Sequence, residues 1–225
     1  MARKQPPANQ GKRGGISGPA VIVTIVSILI VIAVVLAIRH SYAASVPVAA
    51  PAATPAPQGT PLIQGTTVGK RVFPDGDTGS GGRGQTVDGV ACNLQEMLAE
   101  HDHVHLTLFF NGKQVAVPEY VGIVQKPNAQ GCLYWLHTHD ATGIIHIESP
   151  QPDGAFTLGD FFDIWGRELA PDDVAGHIGP VHAFVDGMAY HGNFRAIPFA
   201  QHEEITLEVG KPVVTPPLYV FPPGV

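Results

Sequence analysis

The stretch GCLYWLHTHDATGIIHIE, residues 131–148, contains two mainly apolar runs separated by a polar segment that ends in a glycine. The runs at 133–136 and 144–147 each have the length of a buried strand, and Gly143 can adopt the positive φ that a tight turn requires. The stretch therefore predicts a strand, a turn at residues 140–143, and a second strand that returns beside the first.

The histidines of this stretch are spaced so that the predicted strands bring them together. Residues two apart on a strand point to the same side of the sheet, so His137 and His139 are expected side by side. The turn would bring His146 back beside them. Imidazoles grouped on one rigid face are a common way to hold zinc or copper. Asp140 and Glu148 are candidates for a carboxylate ligand, or for orienting a ligating imidazole through its second ring nitrogen.

A run of alternating histidines, HDHVH, lies at residues 101–105. Alternation places all three imidazoles on one face of a strand. If this strand is a neighbour of the first two in one sheet, imidazoles from both runs converge. The predicted ligands of a copper or zinc ion are His103, His105, His137, His139 and His146. The alternative interpretation is a buried polar network, in which the imidazoles, Asp140 and the backbone bond to one another.

An apolar segment near the N-terminus, residues 20–38, predicts a transmembrane helix. Its 19 residues would span about 28 Å as a helix, close to the hydrocarbon thickness of about 30 Å. Four basic residues precede the segment and only Arg39 follows it closely, so the positive-inside rule places the N-terminus in the cytoplasm. The alternative is a signal peptide cleaved near residues 41–43, but the apolar region of a signal peptide is typically about 7–15 residues long.

Composition divides the chain into four predicted regions. Residues 1–18 form a cytoplasmic tail, and 19–39 form the transmembrane helix. Residues 40–85 form a tether rich in Ala, Pro and Gly, and 86–225 form a globular domain outside the cell membrane.

The charges of the chain bear on its partners. After the apolar segment and Arg39 come 8 of the 13 basic residues and all 19 acidic ones, a net charge of −11 with histidine neutral. An acidic exterior domain argues against nucleic acid, whose binding demands a basic surface. We therefore expect the lipid bilayer as a partner through residues 20–38, with a membrane protein complex as a further candidate partner.

Cys92 and Cys132 are the only cysteines of the chain. An oxidising compartment outside the membrane favours a disulfide between them. On the chain-entropy model, closing a loop of this length stabilises a domain by about 3–4 kcal/mol. The alternative is Cys132 as a soft copper ligand, but its odd spacing from His137 puts it on the opposite face of a regular strand.

Local signals predict the remaining elements. The spacing of apolar residues predicts short helices over 93–100 and 156–165, the second capped by Thr157. Asn-Gly at 111–112 and Asp-Gly at 186–187 each separate two extended runs, which is typical of two-residue hairpins. A last strand is predicted at 205–209, followed by a Pro-rich extended tail. The predicted fold is α+β, mainly β: a small antiparallel sheet or open barrel of hairpins with one or two short helices, preceded by the transmembrane helix.

The segments YWLHTHDATGIIHIESP, FTLGDFFDIWG and HVHLTLFFNG together resemble a family of bacterial membrane-anchored proteins with their domain outside the membrane. The resemblance covers about half of the predicted domain and implies this anchored arrangement, but no activity. Gly131 and the pair His137 and His139 also resemble the opening of the cupin metal motif, yet Gly143 and Ile144 stand where that motif has a glutamate. YWLHTH resembles the copper segment of multicopper oxidases, whose several cupredoxin domains need far more chain.

Three functions are compatible with these patterns, and the sequence favours the first. It is a membrane-anchored metal-binding domain, for metal handling or as an accessory to a membrane redox complex. The second is a metal-dependent enzyme in which Asp140 or Glu148 acts as a general acid or base beside metal-activated water. The third is a non-catalytic interaction module with structural histidines.

Overall fold

The computed structural model describes residues 29–39, 59–76, 81–126, 129–152 and 154–225. The chain divides into two units, Met1–Thr54 and Pro55–Val225. In the first unit, residues 29–39 are helical (α1). Among the described residues, no helix is both long and apolar enough to cross a membrane. The predicted cytoplasmic tail, residues 19–28 of the predicted membrane segment and the alternative cleavage site lie outside the described residues.

The described part of the second unit is mainly β. Its strands are β1 (Thr60–Pro61), β2 (Cys92–Asn93), β3 (Glu100–Phe110), β4 (Lys113–Val115), β5 (Ile123–Lys126), β6 (Ala129–Tyr134), β7 (Leu136–His137), β8 (Ile144–Ser149), β9 (Leu169–Ala170), β10 (Asp173–Val174), β11 (His177–Ile178), β12 (Val181–Val185), β13 (Met188–Tyr190), β14 (Glu204–Val209) and β15 (Tyr219–Val220). Helix α2 spans Leu158–Trp165, and a short 3-10 helix spans Phe194–Ala196. The predicted class, α+β and mainly β, is confirmed.

The largest sheet has the strand order β13-β12-β14-β3-β8-β7. The long strand β3 pairs with β8 along its first half and with β4 along its last residues. Strands β14 and β3 run parallel, and the other neighbours in this sheet run antiparallel. The sheet is therefore mixed, and three smaller sheets accompany it. The sequence predicted the hairpins of this sheet but not the parallel contact, because β14 reaches β3 only after about a hundred intervening residues.

Both predicted two-residue hairpins are confirmed. Asn111 and Gly112 have φ of 51° and 72°, and Asp186 and Gly187 have φ of 49° and 75°. A type I′ turn requires positive φ at both central positions, which Asn, Asp and Gly tolerate. The first turn joins β3 to β4 and the second joins β12 to β13.

The predicted helix over 156–165 is confirmed as α2. The Thr157 side chain accepts the backbone N–H of Asp160, and the Asp160 carboxylate accepts the backbone N–H of Thr157, which together form a capping box. Gly166 ends the helix in the left-handed conformation. The helix buries Phe161, Phe162 and Trp165 in the same hydrophobic cluster as the central sheet.

The central sheet has one apolar and one polar face, both largely buried. The strand registers place on the apolar face Val104, Leu106, Leu108, Ile145, Ile147, Ile205, Leu207 and Val209. The same registers place on the polar face His101, His103, His105, Thr107, His137, His146, Glu148, Glu204, Thr206 and Glu208. Apart from His101 and His146, these polar residues are buried.

The C-terminal segment, residues 211–225, covers the β14 end of the polar face. Its backbone N–H groups at Val214 and Tyr219 each donate to a buried carboxylate, Glu208 and Glu204 respectively, at 2.8 Å. The Tyr219 ring lies 4.5 Å from the His105 ring, and β15 pairs with β1. The predicted extended tail thus closes over polar groups of the sheet.

The helix predicted over 93–100 is wrong. Asn93 lies in β2 and pairs with Leu133 of β6, and β3 begins at Glu100. Leu94 and Leu98 remain 62% and 65% exposed, so the apolar spacing that predicted the helix has no surface to pack on.

The predicted disulfide between Cys92 and Cys132 is confirmed. It joins β2 to β6, and neither sulfur is a free thiolate for a metal.

The second unit begins at Pro55, before the start of the predicted domain at residue 86. Within it, Leu62 is buried and Thr60–Pro61 pairs with Tyr219–Val220.

Candidate metal site

Three adjacent strands align the histidines across the polar face. His103 of β3 lies opposite His146 of β8, and His146 lies opposite His137 of β7. Two residues further along these strands, and so on the same face, His101 of β3 lies opposite Glu148 of β8. Opposed residues of paired strands point to the same side, so these five side chains form one patch, which we call the histidine half of the polar face.

A first group of ligand atoms belongs to Glu96, His137, His139 and Glu148, all within 4.8 Å of one another. The two imidazoles approach most closely, with 3.1 Å between the Nε2 atoms of His137 and His139. His137 Nε2 lies 3.8 Å from Glu148 Oε2, and His139 Nε2 lies 3.7 Å from Glu96 Oε1. Tetrahedral ligands at zinc–nitrogen distances of about 2.0–2.1 Å are separated by about 3.3 Å. The first group is therefore close to the size of a metal coordination shell.

A second group of ligand atoms belongs to His101, His103 and His146, again within 4.8 Å of one another. The His103 ring lies 4.8 Å from the His101 ring and 4.7 Å from the His146 ring, centroid to centroid. His103 is 2% exposed, and neither of its ring nitrogens has a hydrogen-bond partner among the described residues. Buried polar atoms without partners are uncommon in folded proteins and call for an explanation.

The orientation of His137 is fixed by the backbone. Its Nδ1 lies 2.8 Å from the carbonyl oxygen of Tyr134, which can only accept, so Nδ1–H is the donor. The Nε2 lone pair then points toward His139 and Glu148. A backbone carbonyl on the second ring nitrogen is the usual way in which proteins orient a metal-ligating imidazole.

The electrostatics of the patch favour neutral imidazoles. Burial lowers the pKa of His103 and of His146 to about 3 and that of His137 to about 4, and the neighbouring imidazoles act in the same direction. These rings are neutral at pH 7, which is the form that binds metal ions. Within the described ranges, Glu148 lies within 4 Å of the imidazole nitrogens of His101, His137 and His146.

Two residues predicted for the site lie elsewhere. His105 is on the polar face, but its Nε2 lies 2.9 Å from the Thr142 carbonyl oxygen and its Nδ1 lies 3.4 Å from the Thr107 hydroxyl. Asp140 accepts the backbone N–H and the hydroxyl of Thr142, and also the backbone N–H of Gly65. Both side chains stabilise the turn between β7 and β8, which brings His146 beside His137.

The structure brings together the other predicted residues, His103, His137, His139, His146 and Glu148, and it adds two more. His101 shares the alternating run but was not among the predicted ligands, although its two-residue spacing from His103 is a usable signal. Glu96 has no such signal, because it reaches His139 from the irregular segment after the disulfide.

Comparisons with known proteins found no match: no protein-family model, no curated protein and no solved structure matches the chain. The resemblance to bacterial membrane-anchored proteins therefore stays a prediction. What the chain does has to be argued from the site itself.

Proposed function

We propose that the unit Pro55–Val225 is a metal-binding domain for copper or zinc, tethered outside the cell membrane. His137, His139, Glu148 and Glu96 hold the ion. Its proposed role is metal handling, or service as an accessory domain of a membrane redox complex.

The observation that carries this proposal is a buried carboxylate oxygen of Glu148 that has no hydrogen-bond partner and lies beside converging imidazoles. Glu148 is 4% exposed, and its Oε2 accepts no hydrogen bond from any described residue. The same atom lies 3.8 Å from the Nε2 of His137. A buried carboxyl oxygen without a hydrogen-bond donor is costly, and a cation bound between these atoms would remove the cost.

The donor set supports a transition metal. Two imidazoles with one or two carboxylates suit zinc and copper(II), whereas calcium and magnesium prefer oxygen ligands alone. Both cysteines are in the disulfide, so the site offers no thiolate. Metal content measured after exposure to each ion distinguishes copper from zinc.

The location is supported by the sequence and by the disulfide. The apolar segment at 20–38 is long enough to anchor the chain, and the basic residues before it favour a cytoplasmic N-terminus. A structural disulfide is typical of an oxidising compartment outside the cytoplasm.

The second candidate function is a metal-dependent enzyme. It is favoured by the difference in solvent exposure between the side chains of the first group. The side chains of His139 and Glu96 are 40% and 47% exposed, while those of His137 and Glu148 are buried. A bound ion would therefore have one side near the surface, where a water ligand can be activated. X-ray absorption that finds only protein donors around the ion would remove this candidate.

Metal content of the full chain, purified in mild detergent, tests the proposal. After exposure to zinc or copper(II) and dialysis, we expect retained metal in the wild type and less of it, through loss of the ion at His137 and His139, in the double variant Glu96→Gln, His139→Ala. Both positions are partly exposed, so the fold should survive. The matched control is His182→Ala, His191→Ala, which removes two exposed histidines elsewhere. A wild type as poor in metal as the double variant would overturn the proposal.

A further inference from the structure

We propose that the site holds two metal ions, with Glu148 as the carboxylate that bridges them. This inference rests on the proposed function and adds a second ion, held by His101, His103 and His146. The first ion remains with Glu96, His137 and His139.

The position of Glu148 between the two groups is the first argument. Its Oε1 lies 3.6 Å from His101 Nε2 and 3.6 Å from His146 Nδ1, both members of the second group. Its Oε2 faces the first group, 3.8 Å from His137 Nε2. The two oxygens of one buried carboxylate are thus directed at different sets of imidazoles, as in a bridging ligand.

The second group has its own unpaired donors, which the first ion would not satisfy. Both ring nitrogens of His103 and the Nδ1 of His146 are buried without a hydrogen-bond partner in the part of the chain that the structure describes. His101 closes this group from the surface, with its side chain 45% exposed. A single ion bound at His137 and His139 would leave both ring nitrogens of His103 without a partner.

The spacing of the two groups suits a pair of ions. The His146 ring lies 4.4 Å from the His139 ring and 5.5 Å from the His137 ring, so the groups are contiguous. In two-metal sites the ions are about 3.5–4 Å apart. No Lys or Arg among the described residues forms an ion pair with Glu148, so no fixed cation competes for the carboxylate.

The number of ions per chain is the direct test. The metal-free full chain is titrated with zinc, and bound zinc is measured after removal of the excess. We expect two zinc ions per wild-type chain, one per His101→Ala chain, and two per chain of the control His191→Ala. Two ions in His101→Ala, or one in the wild type, would overturn the second site. A wild type that binds neither zinc nor copper(II) would overturn the proposed function as well, so the two failures are distinguishable.

The bridge is tested with copper(II) in place of zinc. Two copper(II) ions joined by one carboxylate couple their spins, so the electron paramagnetic resonance signal should integrate to fewer spins than the copper content. Glu148→Gln should lose the coupling and at least one ion. Glu208→Gln, a buried carboxyl on the same face that contacts neither group, should keep both. Two fully uncoupled ions in the wild type would overturn the bridge.

Discussion

The β14 end of the polar face buries carboxylates that accept hydrogen bonds from the backbone, whereas the histidine half buries nitrogen and oxygen atoms that have no hydrogen-bond partner among the described residues. Glu204 and Glu208 each accept one backbone N–H from the C-terminal segment and leave the second oxygen without a partner among the described residues. Burial raises the pKa of both carboxyls. In the histidine half, Glu148 accepts no such bond. We call the first region the tail-covered half.

The difference indicates what each half is for. Hydrogen bonds lower the cost of burying a carboxyl group, and the tail-covered half supplies them from the backbone of the C-terminal segment. In the histidine half, ring nitrogens of the neutral His137 and His146 face the Glu148 carboxyl group, an arrangement that a bound cation would stabilise. One face of the sheet therefore has a structural region at β14 and, at β3, β8 and β7, the region that we propose to bind metal.

The largest change in the free energy of unfolding is expected on reduction of the disulfide, which holds the segment that carries Glu96. Reducing Cys92–Cys132 should lower the free energy of unfolding by about 3–4 kcal/mol, because it releases a long loop in the unfolded state. Urea unfolding with and without reductant measures this. The variant Cys92→Ala, Cys132→Ala should show the same loss and no response to reductant, and an unchanged midpoint on reduction of the wild type would contradict the expectation.

The next largest effect is stabilisation by zinc, which should depend on the histidine half and not on the tail-covered half. Zinc at about 100 times its dissociation constant should stabilise the protein by about 2.7 kcal/mol for each bound ion, through binding to the folded state alone. The shift in thermal midpoint should be smaller in Glu96→Gln, His139→Ala, which loses the ion at His137 and His139. It should persist in Glu208→Gln, and a loss of the shift in that variant would show that the halves are not independent.

A smaller effect is expected in the tail-covered half. Glu208→Ala leaves the backbone N–H of Val214 without its acceptor and should cost about 1–2 kcal/mol in unfolding free energy. Metal content should not change. If Glu208→Ala released metal while remaining folded, the C-terminal segment would have to be counted as part of the site.

The smallest effect is a pH dependence in the metal-free protein. Burial raises the pKa of Glu203, beside the tail-covered half, from 4.5 to about 7. Between these values the folded state holds a proton that the unfolded state has released, so this carboxyl makes stability fall as pH rises from about 4.5 to 7. Buried histidines with lowered pKa have the opposite sign, and raise stability as pH rises from about 3 toward 6.5.

The variant Glu203→Gln isolates the carboxyl contribution. Compared with wild type, it should lose less stability, or gain more, between pH 5 and pH 7 in urea unfolding. Identical pH profiles of the two proteins would mean that Glu203 does not keep its proton in the folded state.

Local sequence signals predicted the elements whose partners are close in the chain. The Asn-Gly and Asp-Gly turns, the capping box at Thr157 and Asp160, and the alternation of His101 and His103 are of this kind. The turn after His139 is local as well, and it correctly predicted that His146 returns beside His137.

The parts that were missed depend on distant contacts. The parallel pairing of β14 with β3 and the cover formed by residues 211–225 have no local pattern. The helix predicted over 93–100 failed because pairing with β6 beside the disulfide outweighs a weak helical preference. For the same reason Glu96 could not be recognised as a candidate ligand, and His105 could not be recognised as a partner of the Thr142 carbonyl.

Anomalous diffraction at the zinc edge, from crystals of the zinc-treated full chain, tests the central claim most directly. The account predicts strong anomalous peaks in the histidine half, one beside His137 Nε2 and a second between His146 and His101, with Glu148 between them. Absence of any peak there, with the imidazoles bonded only to one another and to the backbone, would contradict the account and leave a structural polar network as the explanation.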